Sequence, residues 1–272
     1  MNFFRLKRSI ISLFKNPQKI FYFKRYHGVY KNLFNPSKPY QHFKINRKFQ
    51  ILDETFEIIK NINEHKKIKI INIKKLYYLK KNKKLIYLHD LFNKSGTDKN
   101  NNEYDLIYIY LFKKINFKFK RILEIGIGSN NLKIDGNMGY QAIPGASLIA
   151  LSKFFETAKI YGADIDPNIR INQKNIKTFV VDQTSRKSLS HFSKKINYFD
   201  LIIDDGLHLP HANLLTFEIL SNKLSKNGIY IIEDIDFEFL KIYITLSKLI
   251  ISSYKVEIFK TKKRYLFAAI KL

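Results

Sequence analysis

Two short apolar runs in this chain end abruptly in carboxylates: Phe199-Asp-Leu-Ile-Ile-Asp-Asp-Gly-Leu-His208 and Gly228-Ile-Tyr-Ile-Ile-Glu-Asp-Ile235. Buried parallel strands have this form when they deliver polar groups to the carboxyl edge of a sheet, where open α/β folds place their sites. On that reading Asp205, His208, Glu233 and Asp234 converge on one spot. Three carboxylates and an imidazole suit a hard divalent cation with a proton acceptor beside it. Taken singly, each residue has a plainer use. A His after Asp-Gly caps the following helix, and strand-end acids satisfy backbone donors or face solvent. Two such acidic tips on adjacent strands favour the metal.

A second group of residues lies upstream. Ile122-Leu-Glu-Ile-Gly-Ile-Gly128 is an apolar run entering two glycines, which allow a tight turn and close approach of a ligand. Ile160-Tyr-Gly-Ala-Asp-Ile-Asp166 follows and ends in acid, where a carboxylate can take both hydroxyls of a ribose. A third run closes on Val181-Asp-Gln183, so that Asp182 and Gln183 would meet an adenine ring. Three strand ends of this kind imply a nucleoside-containing cofactor. A dinucleotide fingerprint needs a third glycine opening a helix, but position 131 is Asn and a polar loop runs from Ser129 to Pro144, which disfavours hydride transfer. Glu124, just before Gly126 and Gly128, points to a cofactor carrying a cationic amino-acid moiety.

Positioning these groups requires a layered α/β framework. Strands are expected at Arg121–Ile125, Ile160–Ile165, Thr178–Val181, Asp200–Ile203 and Ile229–Ile232. They alternate with helices at Ala146–Ala158, Ser185–Lys194, Ala212–Leu224 and Phe237–Ile251, and a short helix follows the second strand. Helices at Leu85–Phe92 and Tyr104–Ile115 precede them and flank Lys94-Ser-Gly-Thr-Asp-Lys99, a turn that either closes over the cofactor or caps a helix through Asp98. This alternation gives a parallel sheet with helices on both faces. Lys255–Phe259 and Tyr265–Ile270 are joined so tightly that they form a hairpin, placing one antiparallel strand in the sheet.

Together, Leu123-Glu-Ile-Gly-Ile-Gly128, Tyr161 to Asp166, Val181-Asp-Gln183, Ile203-Asp-Asp-Gly-Leu-His208 and Ile231-Ile-Glu-Asp234 resemble the class I S-adenosylmethionine-dependent methyltransferases. More narrowly, they resemble the metal-dependent sugar O-methyltransferases of the macrocin and mycinamicin type and relatives in bacterial polysaccharide clusters. The resemblance runs from about Leu88 to Leu272 and includes Ser95-Gly-Thr-Asp-Lys99, Asn137-Met-Gly139 and Pro144-Gly-Ala-Ser-Leu148. It implies a Rossmann-like, seven-stranded, mostly parallel sheet with one antiparallel strand and helices on both faces. That domain would cover residues 86–272, behind a basic, mainly helical extension over residues 1–85. It further implies that Gly126 and Gly128 pass under the methionine portion, Asp164 holds the ribose, and Asp182 and Gln183 border the adenine. Asp205, Glu233 and Asp234 would hold Mg2+, with Asp205 and His208 catalytic and His208 the general base. The activity implied is O-methylation of a sugar hydroxyl on a glycan or glycosylated metabolite.

Composition bounds the remainder. The absence of Cys excludes disulfides, thiolate metal sites and cysteine nucleophiles, and fits a reducing compartment. At 272 residues and 45% apolar content, with 23 Phe and 17 Tyr, the chain can bury a large core. The net charge of +26 is concentrated near the start, where residues 1–90 hold 22 Lys/Arg against 5 Asp/Glu. Such a field attracts polyanions. The readings it supports are an anionic membrane surface contacted through Met1–Phe14, an RNA-binding protein or RNA methyltransferase, or a solvated surface of a Lys-, Ile- and Asn-rich chain. No run approaches the ~20 apolar residues of a membrane span. The expected setting is therefore the cytoplasm or the membrane periphery, as a single chain or a homo-oligomer.

Overall fold

Fully apolar strand interiors demand cover on both faces, and Leu201–Ile203 and Ile229–Ile232 are wholly buried. The computed structural model describes residues 68–134, 137–139, 143–169, 171 and 173–272. The expected basic extension and its membrane-facing first segment lie largely outside the described residues. Strand β1 (Lys69–Asn72) leads into a 3-10 helix over Ile73–Lys81, followed by α1 (Lys83–Ser95), a second 3-10 helix over Asp98–Asn102, and α2 (Tyr104–Lys114). The main alternation then runs β2 (Arg121–Ile125), α3 (Ala146–Phe154), β3 (Lys159–Asp164), β4 (Ile176–Val180), α4 (Arg186–Lys195) and β5 (Phe199–Asp204). It closes with α5 (Pro210–Leu220), β6 (Leu224–Ile235), α6 (Leu240–Ile250), β7 (Tyr254–Lys260) and β8 (Tyr265–Lys271).

The sheet has eight strands in the order β1-β7-β8-β6-β5-β2-β3-β4. Only β8 runs against its neighbours, pairing antiparallel with both β6 and β7. The strand beyond the seven expected is β1, which pairs parallel with β7. Ile68–Leu79 reads as a helix or a strand in sequence, and it divides into β1 and the 3-10 turns behind it. Ile71, Ile73, Leu76 and Leu79 from this segment join the same core as α1 and α2.

Alternation along each strand separates two layers. Ile122, Leu201, Ile203, Ile229 and Ile231 face the layer containing α1, α2 and α3. Leu123, Ile202, Tyr230 and Ile232 face the layer containing α4, α5 and α6. The short helix expected after β3 is absent among the described residues. There, Asp166 Oδ1 accepts the Asn168 N–H at 2.9 Å, so a side-chain turn replaces helical bonding. Among the described residues, no helix is long and apolar enough to cross a membrane.

Candidate active site

The chain leaves β2 for β3 on one side and returns to β5 on the other, which makes the β2/β5 boundary a topological switch point where open α/β sheets form a crevice. Register fixes what meets there. Ile125 pairs with Asp204, and Asp204 with Ile232, so the next residues, Asp205 and Glu233, stand side by side. Glu124 pairs with Ile203 and shares its face. Strand parity therefore turns Glu124, Asp205 and Glu233 toward α2 and α3, and Asp204 toward the opposite layer.

A single cation fills the space between those three carboxylates. Lys99 Nζ lies 3.2 Å from Glu124 Oε1, 2.8 Å from Asp205 Oδ2 and 2.5 Å from Glu233 Oε2. The Lys99 side chain is 2% exposed, Glu124 0% and Glu233 1%. Burial alone would push the ammonium toward neutrality. Asp205, Glu233, the Tyr108 hydroxyl and Glu124 outweigh it and hold Lys99 well above the ordinary lysine value. One ammonium against three carboxylates still leaves the cluster short of positive charge. Burial accordingly drives Glu233 well above the usual carboxylate range and raises Glu124 as well.

The second acid of the β6 tip reaches the same side by a break in the strand. The β6–β8 register shifts between Ile232 and Ile235, and Asp234 adopts a left-handed backbone at φ 49°. A regular strand would send Asp234 to the face opposite Glu233; the bulge re-aims it. Asp234 Oδ1 accepts the Tyr104 hydroxyl at 2.5 Å and Asn102 Nδ2 at 3.3 Å, and Glu233 Oε1 accepts the Tyr108 hydroxyl. Tyr104 and Tyr108 lie one turn apart on α2 and each holds one acid. Asp205, His208 and Asp234 offer ligand atoms within 4.8 Å of one another. His208 Nε2 lies 3.9 Å from Asp205 Oδ1, too far for a hydrogen bond, and its buried Nδ1 has no protein partner.

The residues expected to face a cofactor lie around the two glycines and the neighbouring strand tips. Gly126 and Gly128 have φ of 79° and 86°. Asp164 Oδ2 accepts the N–H groups of Ile127 and Gly128 at 2.9 and 3.1 Å, so the β3 acid also fixes the glycine turn. Glu124 Oε2 accepts the Ser147 hydroxyl at 2.7 Å. Gln183 is buried and bridges two strand tips, donating to Asp204 Oδ1 at 2.6 Å and accepting the Leu207 N–H at 2.9 Å. Asp182 is engaged locally, by the Thr184 N–H and hydroxyl.

The structure thus gathers Glu124, Asp205, His208, Glu233 and Asp234, with Gly126, Gly128 and Asp164 adjoining. Asp98 does not cap a helix by its side chain; Thr97 occupies that position, and Lys99 is the residue that turns inward. Sequence reasoning passed over Lys99 as a charge partner, and over Tyr104 and Tyr108. The available signal was Tyr104 and Tyr108, one turn apart in the largely apolar run Tyr104–Phe112, which also holds Asp105 and Tyr110.

A mostly parallel sheet with one reversed strand, a glycine turn after β2 and acids at the β3, β5 and β6 tips is the class I S-adenosylmethionine-dependent methyltransferase fold. Among solved structures, the chain is similar to the MycE methyltransferase from the mycinamycin biosynthetic pathway in complex with Mg, SAH and mycinamycin VI. That match has a TM-score of 0.55 and 22% identity, over 68% of this chain and 54% of that one. Among curated proteins, it is 34% identical over 117 residues to demethylmacrocin O-methyltransferase of Streptomyces fradiae, covering 42% of this chain and 27% of the relative. It is 31% identical over 116 residues to the 8-demethyl-8-alpha-L-rhamnosyl tetracenomycin-C 2'-O-methyltransferase of Streptomyces olivaceus, covering 42% and 28%. The matched region therefore spans under a third of these curated relatives. No family model matches the chain.

Proposed function

We propose that this chain is an S-adenosylmethionine-dependent, Mg2+-assisted O-methyltransferase acting on a sugar hydroxyl of a glycan or glycosylated metabolite. The observation that carries this reading is the gathering of Glu124, Asp205 and Glu233 around one cation, with Asp234 and His208 alongside. Its similarity to sugar O-methyltransferases supports the acceptor class. An all-oxygen acidic donor set with a deficit of positive charge fits a hard divalent ion. Asp205, Glu233 and Asp234 would hold it, and a bound Mg2+ supplies Lewis-acid stabilisation of charge developing on a hydroxyl.

The remaining roles fall to side chains and backbone. His208 Nε2 is not spent on Asp205 and would take the proton of the acceptor hydroxyl, while the bound sulfonium would supply the methyl group to the resulting alkoxide and leave as the thioether. Gly126 and Gly128 would pass beneath the methionine portion. Glu124 offers negative charge beside it. Asp164 would face the ribose through Oδ1, which among the described residues accepts only the Asp166 N–H at 3.0 Å, and Asp182 and Gln183 would border the adenine. Because methyl transfer needs an in-line approach, holding both substrates at the β2/β5 crevice supplies much of the acceleration.

The test is transfer of labelled methyl to a panel of glycosylated acceptors, with titration of S-adenosylmethionine in parallel. Turnover that requires Mg2+ and stops with chelator supports the reading. Absence of cofactor binding both with and without Mg2+ sinks it.

A further inference from the structure

Lys99 occupies the space between Asp205 and Glu233, two of the three acids assigned above to the metal. Glu233 has one oxygen committed to the Tyr108 hydroxyl, and its other oxygen faces Lys99 Nζ at 2.5 Å. Asp205 gives Oδ2 to the same ammonium at 2.8 Å. A divalent ion drawing on both acids would sit within a few ångströms of this ammonium, and two cations so close repel strongly in a buried setting.

The segment carrying Lys99 lies between α1 and α2, and Asn100 Nδ2 ties it to α1 by donating to the His89 carbonyl at 2.9 Å and to Asn93 Oδ1 at 2.7 Å. Gly96 ends α1 in the left-handed conformation at φ 82°, and the 3-10 helix Asp98–Asn102 follows. At its far end this helix is tied to Asp234 by Asn102 Nδ2 across 3.3 Å, a long bond to an acid the metal would also use. Withdrawal does not leave the ammonium unpaired, because Glu124 Oε1 stands 3.2 Å away on the cofactor side.

We propose that Lys99 is a resident counter-cation that competes with the divalent ion for Asp205 and Glu233. It would release both when the metal enters and retain Glu124. The inference rests on the metal-assisted reading above. It makes metal loading and the position of the Gly96–Asn102 segment two sides of one equilibrium.

Isothermal titration of Mg2+ into the full chain and into Lys99→Met tests it. The variant is expected to bind Mg2+ about tenfold more tightly or better, the scale of a typical coupling between competing ligands. It should melt below wild type without metal and recover at saturating Mg2+. Equal or weaker Mg2+ affinity in the variant, with wild type binding, overturns the inference and leaves the methyltransferase reading standing.

If Lys99→Met fails to fold, 15N-lysine-labelled wild type is titrated instead, with the Lys99 signal assigned by its absence from Lys99→Arg. A shift on adding Mg2+ supports the proposal, and a signal unmoved at metal saturation overturns it. Failure of wild type to bind Mg2+ at all overturns this inference together with the metal-assisted mechanism.

Discussion

Gly126 lies so close to Gly206 that a Cβ built on the first would stand 2.3 Å from the Cα of the second. The same added atom would be 2.4 Å from the Asp205 carbonyl oxygen. The glycine turn after β2 and the acidic turn after β5 therefore interlock backbone to backbone. Gly126 also holds φ 79°, which a side chain disfavours. Gly126→Ala is expected to destabilise the fold by about 2–4 kcal/mol, through strain and a clash that backbone cannot easily relieve. It should weaken cofactor affinity as well, because the turn and Asp205 must separate. Denaturant unfolding alongside cofactor titration measures both. Unchanged stability would show that the two turns are not locked together.

His208 also has a left-handed backbone, at φ 56°. Replacing it with Ala would mix backbone strain with loss of the imidazole. Asn tolerates this conformation and cannot serve as a base, so His208→Asn isolates the chemistry. Turnover is expected to fall by about 10²–10⁴, the usual contribution of a general base. Cofactor affinity and melting temperature should stay near wild type. A matching loss of affinity would reassign His208 from proton transfer to binding.

The architecture was legible because buried parallel strands leave an unmistakable pattern. Arg121–Ile125 forms β2 with the expected limits, and the Asp205 and Glu233 tips meet as adjacent strand ends must. Asp234 was legible as an acid at the tip, but not the bulge that turns it toward Tyr104, since a bulge depends on pairing with β8 rather than on local sequence. Lys99 was hidden for a related reason. Its partners lie 25, 106 and 134 residues away in sequence, and a lysine in a polar turn ordinarily points to water. Gln183 showed its place at a strand end but not its bridge to Asp204 and Leu207, which only the assembled sheet creates.

Tyr108 supplies the neutral hydrogen bond to Glu233, in the buried layer beneath the acids. Tyr108→Phe removes that donor while preserving the ring packing against Phe92 and Phe112. The expected loss is about 1–3 kcal/mol, the penalty for stripping a buried acceptor of its partner. Tyr104→Phe acts on half-buried Asp234, which water can reach, so its effect on stability should be smaller. Thermal unfolding of both variants in metal-free buffer checks the order, and a larger loss for Tyr104→Phe would contradict the depth assigned to Glu233.

Asp204, on the opposite face of the β5 tip, provides a pH-dependent test. It is fully buried, and one carboxyl oxygen has no hydrogen-bond partner. Burial pushes its carboxyl up to about 6, against the opposing pull of the Asn213 and Gln183 amides. The unfolded chain releases this proton near the ordinary value of about 4. Between those two pH values the folded state binds the proton and the unfolded state does not, so this residue's contribution to stability declines as pH rises. It is fully present below about pH 4 and lost once pH passes about 6, a change on the order of 3 kcal/mol for a shift of about two pK units. Asp204→Asn keeps an acceptor for Gln183 and removes the titration. The difference in unfolding free energy between variant and wild type should therefore move toward the variant from pH 4 to pH 7. Urea unfolding at several pH values with chelator present measures it. Parallel curves for the two proteins would mean that Asp204 titrates alike in the folded and unfolded chain.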